Sequence, residues 1–140
     1  MSFTNPAPDQ IRALLRHAHT LAVVGLSPNP ARPSFGVAKA MRGFGYRIVP
    51  VRPATESVLG EKACPDLRHL PGPVDIVDVF RAPEHVAAIV DDCIALKLPA
   101  LWLQEGVVDE TAAARARDAG IMVVMDRCIY KDYRAFAQEA

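Results

Sequence analysis

Four arginines follow four separate apolar runs of the sequence, at or shortly after the point where a buried strand would end. They are Arg32, Arg52, Arg81 and Arg127. The planar guanidinium presents its N–H donors as a fork that matches phosphate oxygens, so such a set is typical of a site for a polyanionic ligand. The pattern predicts that the four side chains converge on one edge of a sheet.

Small and polar residues accompany these arginines. Gly25 closes the first apolar run, and its lack of a side chain would let a ligand phosphate approach the backbone. Ser34 is predicted to cap a helix whose first N–H groups would add donors at the same edge. Gln104 is placed to hydrogen-bond a ligand, whereas the carboxylate of Glu105 is expected to pair with an arginine. The candidate loops are Gly25-Leu26-Ser27, Arg32-Pro33-Ser34, Arg52-Pro53, Arg81-Ala82-Pro83, Gln104-Glu105-Gly106 and Arg127-Cys128.

Two departures from the dinucleotide-binding fingerprint narrow the choice of polyanion. That fingerprint has G-x-G-x-x-G after the first strand and an acidic residue after the second. This chain has Ser27 at the second glycine position, and Arg52 where a carboxylate would hold the ribose hydroxyls of NAD. A cation there favours a nucleotide with an additional ribose phosphate, such as NADP or coenzyme A. The motif G-x-x-x-x-G-K-[ST] does not occur in the sequence.

The histidines, acidic residues and cysteines show no spacing typical of a catalytic or metal centre. The four histidines are scattered and make no metal-binding pair. Asp75 and Asp78 lie in or beside one strand and face opposite sides, and Asp78 is expected to pair with an arginine. Cys128 follows Arg127, which would favour a reactive thiolate, and a small buried apolar role is the competing interpretation. We expect binding without catalysis by the chain alone.

Buried strands must position these loops. Five aliphatic runs without polar alternation predict strands buried on both faces, as in a parallel sheet. They cover Leu21–Gly25, Arg47–Val51, Asp75–Phe80, Ala100–Gln104 and Ile121–Asp126, with helical periodicity between most of them. The spacing of the strand starts is about that of one βα repeat. The sequence therefore predicts an α/β fold: a doubly wound, Rossmann-like, five-stranded parallel sheet with helices on both faces.

Local signals indicate where the helices begin and end. Asp109 is predicted to cap a helix over 110–119, and Pro83 to lie in the first turn of another. The segment Ala54–Pro73, rich in Pro and Gly, is predicted to be mainly loop, with at most a short helix at Pro65–Leu70.

Composition limits the classes of function. The 140 residues suit a single domain over 1–140, and 16 basic residues balance 16 acidic ones. Without a cationic surplus, binding to nucleic acid or to an anionic membrane is not expected. No apolar run reaches the roughly 18 residues of a membrane span, and no signal peptide is indicated. Three widely spaced cysteines do not form a disulfide framework, so a reduced, cytoplasmic protein is expected.

Several of these segments resemble a known family, the small stand-alone coenzyme A-binding proteins. That family is similar to the CoA-binding domain of the succinyl-CoA synthetase alpha subunit. The resemblance extends from about Ile11 to Arg134. It is carried by Val24-Gly25-Leu26-Ser27, Arg32-Pro33-Ser34, Asp78-Val79-Phe80-Arg81, Trp102-Leu103-Gln104-Glu105-Gly106 and Met125-Asp126-Arg127-Cys128.

The resemblance implies that coenzyme A is held at the carboxyl edge of a Rossmann-like sheet. The implied contacts are a first loop of Gly25, Leu26, Ser27, Arg32, Pro33 and Ser34, the adenosine neighbours Val51, Arg52 and Pro53, the next loop Phe80, Arg81 and Ala82, and Gln104, Glu105 and Gly106 at the middle or thiol arm of the ligand. The family usually has Asn where this chain has Arg52. The synthetase also uses a phosphorylated histidine on a second domain and a nucleotide-binding partner subunit, neither of which this sequence matches.

Several functional hypotheses follow. The leading one is a protein that binds coenzyme A or an acyl-CoA through its arginines. The alternatives are a CoA-ligase component that needs a partner chain, a redox sensor in which Cys128 forms a mixed disulfide with coenzyme A, and an NADP-binding redox protein. Homodimerisation through an exposed helix or an edge strand stays open.

Overall fold

Five parallel strands form the central sheet in the computed structural model, which describes residues 2–138. The strands along the chain are β1 (Thr20–Val24), β2 (Arg47–Val51), β3 (Ser57–Val58), β4 (Glu61–Lys62), β5 (Ile76–Val79), β6 (Ala100–Leu103) and β7 (Met122–Met125). The sheet has the order β2-β1-β5-β6-β7, whereas β3 and β4 form a separate antiparallel pair. The order reverses between β1 and β5, which gives the sheet a topological switch point.

Helices cover both faces of the sheet, as the sequence predicts. They are α1 (Pro8–His17), α2 (Pro33–Gly43), α3 (Val86–Ala95), α4 (Glu110–Asp118) and α5 (Ile129–Asp132), which a π-helical turn continues over Tyr133–Ala137. Alternate residues of each strand point to opposite faces and so supply two apolar cores. Side chains of α3 and α4 pack in one core, and those of α1, α2 and α5 pack in the other. The doubly wound, five-stranded prediction is confirmed.

The two outermost strands of the sheet, β7 and β2, are both covered by other segments of the chain. At β7, the side-chain amide of Asn5 donates to the carbonyl of Met125 (2.9 Å) and accepts from its N–H (2.7 Å). At β2, the backbone of Cys64 donates to the carbonyl of Pro50 (3.0 Å) and accepts from the N–H of Arg52 (2.8 Å). These bonds occupy backbone groups through which an edge strand would pair with another chain.

Some local predictions are corrected. Ser34 does not cap α2: Arg32 is the N-cap residue, Pro33 opens the helix, and the hydroxyl of Ser34 is used elsewhere. The segment predicted as loop contains the β3–β4 pair, although its short helix is present as a 3-10 turn over Leu67–His69. Asp109 caps α4 as predicted, because its carboxylate accepts the N–H of Ala112 (3.0 Å).

Among residues 2–138, no helix has the length and the apolar character that a membrane span requires.

Candidate functional site

A cleft of about 1090 Å³ opens at the carboxyl edge of the sheet, around the switch point between β1 and β5. Open α/β sheets bind their ligands at this place, because the loops diverge there and leave a crevice. We call it the arginine cleft, since Arg32, Arg52 and Arg81 all line it. They come from the loops after β1, β2 and β5, three neighbouring strands.

Gly25 occupies the most constrained position of the cleft. Its φ of +83° lies in the left-handed region, where a side chain is strained. A Cβ there would lie 2.9 Å from the Cδ atom of Arg81 and 3.2 Å from the carbonyl oxygen of Phe80. The sequence-based reason for this glycine was room for a ligand phosphate. That reason stays a prediction, and the structure adds a second: the glycine makes room for the arginine that follows β5.

The loop between β1 and α2 is held in shape by its own side chains. The hydroxyl of Ser34 accepts the N–H of Ser27 (3.0 Å), and the hydroxyl of Ser27 accepts the N–H of Asn29 (3.1 Å). The amide oxygen of Asn29 in turn accepts the N–H of Ala31 (3.0 Å). This chain of bonds fixes the backbone that carries Arg32 to the start of α2. An ordered loop loses less conformational entropy when it binds a ligand.

The three arginines of the cleft have no carboxylate partner among residues 2–138. Arg81 instead approaches an imidazole, with Nη2 3.1 Å from the Nε2 atom of His85. Four arginines outside the cleft pair with aspartates, and these pairs are Arg68–Asp92, Arg115–Asp91, Arg117–Asp118 and Arg127–Asp132. The cleft thus gathers three guanidinium groups, without a carboxylate partner in the described part of the chain, at the ends of three neighbouring strands.

Arg127 does not join the other three, contrary to the sequence-based prediction. Its Nε and Nη2 atoms lie 2.6 and 2.9 Å from the two carboxylate oxygens of Asp132, which is buried at the end of α5. The hydrogen bond to this carboxylate raises the pKa of the guanidinium. A carboxylate five residues onward thus engages Arg127, and the cleft retains three arginines.

The half of the cleft next to β6 and β7 has a different character. It is lined by Gln104, Glu105, Val107 and Cys128. Gln104 is 5% exposed, and its side-chain oxygen accepts the N–H of Ile129 (3.1 Å), which anchors the start of α5. Glu105 pairs with Lys131 at 3.1 and 3.3 Å, rather than with an arginine as the sequence suggested.

Most of the residues predicted to bind the ligand are brought together. Those that line the cleft are Gly25, Ser27, Arg32, Pro33, Ser34, Arg52, Pro53, Phe80, Arg81, Ala82, Gln104 and Glu105. The side chains of Leu26 and Val51 are instead buried in the two apolar cores. Gly106 lies outside the lining, and its N–H donates to the carboxylate of Asp126 (2.8 Å).

Sequence reasoning missed several residues of the cleft. Pro28 and Asn29 belong to the loop after β1, and Val37 lies one turn into α2. His85 stands four residues after Arg81, and Val107 follows Gly106. Arg81 precedes the 3-10 turn over Pro83–His85, so no helical spacing in the sequence linked it to His85. Val37 lines the cleft because of the way α2 packs across the sheet, and no local sequence pattern predicts that packing.

Asp78 is buried without the arginine partner that its sequence context suggested. It lies in β5, between Val23 of β1 and Trp102 of β6, and one of its carboxylate oxygens has no hydrogen-bond partner. Burial raises the pKa of this carboxyl well above its usual value. The cause is desolvation, because burial disfavours the charged form of the carboxyl. Trp102 is fully buried, as predicted, and its indole donates to the carbonyl of Arg127 (2.7 Å).

The fold and the cleft together define a class: a Rossmann-like α/β protein with an arginine-lined cleft at the switch point of its sheet. The chain belongs to the CoA-binding domain family, whose model matches residues 19–134. The uncharacterized protein YneT of Bacillus subtilis (strain 168) is 40% identical over 125 residues, which cover 89% of this chain and 93% of that protein.

Solved structures share the whole architecture. A protein from Thermus thermophilus matches with a TM-score of 0.89 and 35% identity, over 94% of this chain and 99% of its own. A hypothetical protein from Pyrococcus horikoshii OT3 matches with a TM-score of 0.89 and 30% identity, over 97% and 99%. The dinucleotide-forming acetyl-coenzyme A synthetase 1 of Ca. Korarchaeum cryptofilum has the same fold over 83% of this chain, at 19% identity and a TM-score of 0.70, and the match covers 28% of the synthetase chain.

Proposed function

We propose that this protein binds coenzyme A, or an acyl-CoA, in the arginine cleft. One observation supports the proposal above all: Arg32, Arg52 and Arg81 line one cleft, and none has a carboxylate partner among the described residues. Three guanidinium groups in one crevice repel one another, and an anion that binds among them would turn this repulsion into attraction. Membership of the CoA-binding domain family indicates which anion.

The residues present fit the chemistry of this ligand. Coenzyme A carries a pyrophosphate and a 3′-phosphate on its adenosine end, and guanidinium forks bind such groups through paired, charge-assisted hydrogen bonds. Arg32 stands at the N-terminus of α2, where the helix dipole also favours negative charge. Arg52, after the neighbouring strand, is our candidate for the 3′-phosphate, because the family usually has an uncharged residue there.

The proposed role is binding without turnover by the chain alone. The titratable groups that line the cleft are the three arginines, His85, Glu105 and Cys128. Two of these already have partners, because His85 contacts Arg81 and Glu105 contacts Lys131. A reaction on the acyl group would need a positioned acid, base or nucleophile, and we assign none of these six groups to that role.

The first test is isothermal titration with coenzyme A, with NADP in a parallel experiment. Arg52→Ala is compared with Arg47→Ala, because the two arginines lie at opposite ends of the same strand and removing either one changes the net charge equally. We expect saturable binding of coenzyme A and roughly tenfold weaker binding by Arg52→Ala, the loss of one charge-assisted contact. Arg47→Ala should bind like the wild type.

Titration with dephospho-coenzyme A then locates the 3′-phosphate. If Arg52 holds that group, Arg52→Ala should weaken the binding of coenzyme A more than that of the dephosphorylated form. Equal losses would remove Arg52 from the 3′-phosphate. Binding of NADP alone, with no heat from coenzyme A, would overturn the proposal.

Cys128 supports a second candidate, a thiol–disulfide exchange with the ligand. All three cysteines are buried, and Cys128 is the one that lines the cleft, whereas Cys64 and Cys93 belong to the apolar core. In this step the Cys128 thiolate attacks a coenzyme A disulfide, forms the protein–CoA mixed disulfide and releases one coenzyme A thiolate. Intact mass spectrometry after incubation with coenzyme A disulfide tests it: an adduct is expected on the wild type and absent from Cys128→Ser. An adduct that persists in that variant would reject this role.

A ligase-type partner chain is a further prediction of the sequence. It rests on the resemblance to the synthetase alpha subunit. Co-purification from the native cell tests it, because a partner that supports turnover of an acid, coenzyme A and ATP would make this chain a component of an enzyme. Recovery of the chain alone would leave binding as its activity.

A further inference from the structure

The arginine cleft is electrically asymmetric along the sheet. Its three unpaired arginines all follow the strands at one side, β2, β1 and β5. At the other side the loops after β6 and β7 contribute Glu105 and Cys128, with Val107 between them in the sequence. Arg127, which also follows β7, is held by Asp132 and does not line the cleft.

This asymmetry gives the ligand one favourable orientation. Coenzyme A has all its phosphates on one end and a neutral pantetheine arm with the thiol, or the acyl group, on the other. Neighbouring strands are about 4.8 Å apart, so the ends of β2 and β6 are separated by about 14 Å. With its phosphates among the arginines, the ligand extends its acyl end towards Glu105.

Glu105 forms an ion pair whose two members differ in their position relative to the cleft. Glu105 lines the cleft, whereas its partner Lys131, on α5, does not. A carboxylate that entered the cleft at this side would approach Glu105, a lining residue, whose two carboxylate oxygens already contact the ammonium. It would also have to compete for an ammonium that is already engaged.

We propose that Glu105 makes the arginine cleft selective against CoA thioesters whose acyl group carries a carboxylate, such as succinyl-CoA. Free coenzyme A and thioesters with uncharged acyl groups are the ligands of the site. Lys131 moderates the selection, because it cancels part of the Glu105 charge. This inference rests on the proposed function and narrows it to a class of acyl groups.

The test compares succinyl-CoA with butyryl-CoA, which has an acyl chain of the same length and no carboxylate. The readout is the ratio of their dissociation constants, since a ratio is insensitive to a change that affects both ligands. We expect the wild type to bind succinyl-CoA about fivefold more weakly, the effect of one partly screened repulsion between like charges. Glu105→Gln should bring the ratio close to one.

Two further variants separate a local charge effect from a general one. Lys131→Gln leaves Glu105 without its cation, so the ratio should rise above the wild-type value. Asp118→Asn removes a carboxylate from another exposed ion pair, the one with Arg117, and should leave the ratio unchanged. Raising the ionic strength should lower the ratio in the wild type.

The outcomes distinguish this proposal from the one on which it rests. If coenzyme A and butyryl-CoA bind but succinyl-CoA binds equally well or better, the selectivity is wrong and coenzyme A binding stands. A wild-type ratio that persists in Glu105→Gln removes this residue as its cause. If none of the three ligands binds, both proposals fail.

Discussion

The two edges of the sheet each carry a cleft, and they differ in what their polar groups do. At the amino edge a cleft of about 710 Å³ lies beside α1 and is lined largely by apolar side chains, among them Phe3, Leu14 and Met122. Its charged residues are engaged inside the protein. Asp75 accepts the N–H groups of His19 and Thr20 at 2.8 and 2.9 Å, and Arg117 pairs with Asp118.

At the carboxyl edge the three arginines of the arginine cleft have no carboxylate partner among the described residues. Arg32, Arg52 and Arg81 project from loops and find no carboxylate, while Gly25 gives one of them its space. The cleft at the amino edge has a mostly apolar lining, and its residues Asp75 and Arg117 form contacts within the protein. Guanidinium groups gathered without a carboxylate partner, rather than the apolarity of a crevice, therefore distinguish the carboxyl edge as the proposed ligand site.

The largest expected effect comes from removing two arginines at one edge. The double variant Arg32→Ala with Arg52→Ala should bind coenzyme A about 100-fold more weakly, because two charge-assisted contacts are lost, each worth about 1.5 kcal/mol. The control is Arg16→Ala with Arg47→Ala, which removes the same charge from α1 and from the amino end of β2. Titration calorimetry measures both. Equal weakening in the two would show that only net charge matters and that the edges do not differ.

Gly25→Ala should lower the free energy of unfolding by about 2–3 kcal/mol, from a positive φ and a collision with Arg81. Gly106→Ala is the matched control, because Gly106 has the same φ of +83° but no heavy atom within 4 Å of its added Cβ. Denaturant unfolding measures the loss of stability in both variants, and the difference between the two losses gives the effect of the collision. Equal losses would mean that the close approach of Arg81 contributes nothing.

Asp78→Asn should remove a pH dependence of stability. Burial raises the pKa of Asp78, so the folded protein retains a proton that the unfolded chain releases above pH 3.8. The stability that this group contributes is therefore complete below that pH and is lost as pH rises, by up to about 1.4 kcal/mol per pH unit. The wild type should lose stability relative to Asp78→Asn when pH is raised from 4 to 7 in denaturant titrations. Parallel pH profiles of the two proteins would show that the carboxyl titrates normally.

The exposed residue Asp66 should contribute a pH dependence of stability with the opposite sign, measurable in the same denaturant titrations. A hydrogen bond from His69 lowers the pKa of its carboxyl, so its contribution is present above the usual pKa and lost in acid. Asp66→Asn should therefore weaken the protein at neutral pH and have little effect at low pH.

The smallest effect is expected at the amino edge. Asp75→Ala leaves the N–H groups of His19 and Thr20 without their acceptor and should lower the free energy of unfolding by about 1 kcal/mol. Coenzyme A affinity should stay unchanged, because the site lies at the other end of the strands. Thermal unfolding and calorimetry on one preparation measure both quantities. A loss of affinity comparable to that of Arg52→Ala would mean that the two edges are coupled.

Strands and helices were largely predictable because each depends on nearby residues. Aliphatic runs without polar alternation identified all five strands of the sheet, and Asp109 marked the start of α4 through one local hydrogen bond. The β3–β4 pair escaped prediction because each strand has two residues, too few to show an alternation. The role of Asn5 as a cover for β7 depends on a contact 120 residues away along the chain.

For the candidate site, the sequence predicted which residues lie at the same edge of the sheet, as it predicted the strands and helices. Topology places the loops after parallel strands at one edge, so residues such as Arg52 and Arg81 could be grouped before any contact was known. Side-chain partners could not be inferred in this way. Arg127 also follows a strand of the sheet, but it pairs with Asp132. Glu105 pairs with Lys131 of α5 and not with an arginine of the cleft.

The order of residues thus contains the periodicity and the turn signals that specify a doubly wound sheet, and the strand-end arginines that predict a polyanion site at its carboxyl edge. These features follow from short-range sterics and from burial, which act on neighbouring residues. Which arginines stay free, why Gly25 must lack a side chain, and that Asp78 is buried without a partner depend on packing between segments far apart in the chain. Electrostatic pairing and close packing are decided by distance in space, and the folded chain alone sets those distances.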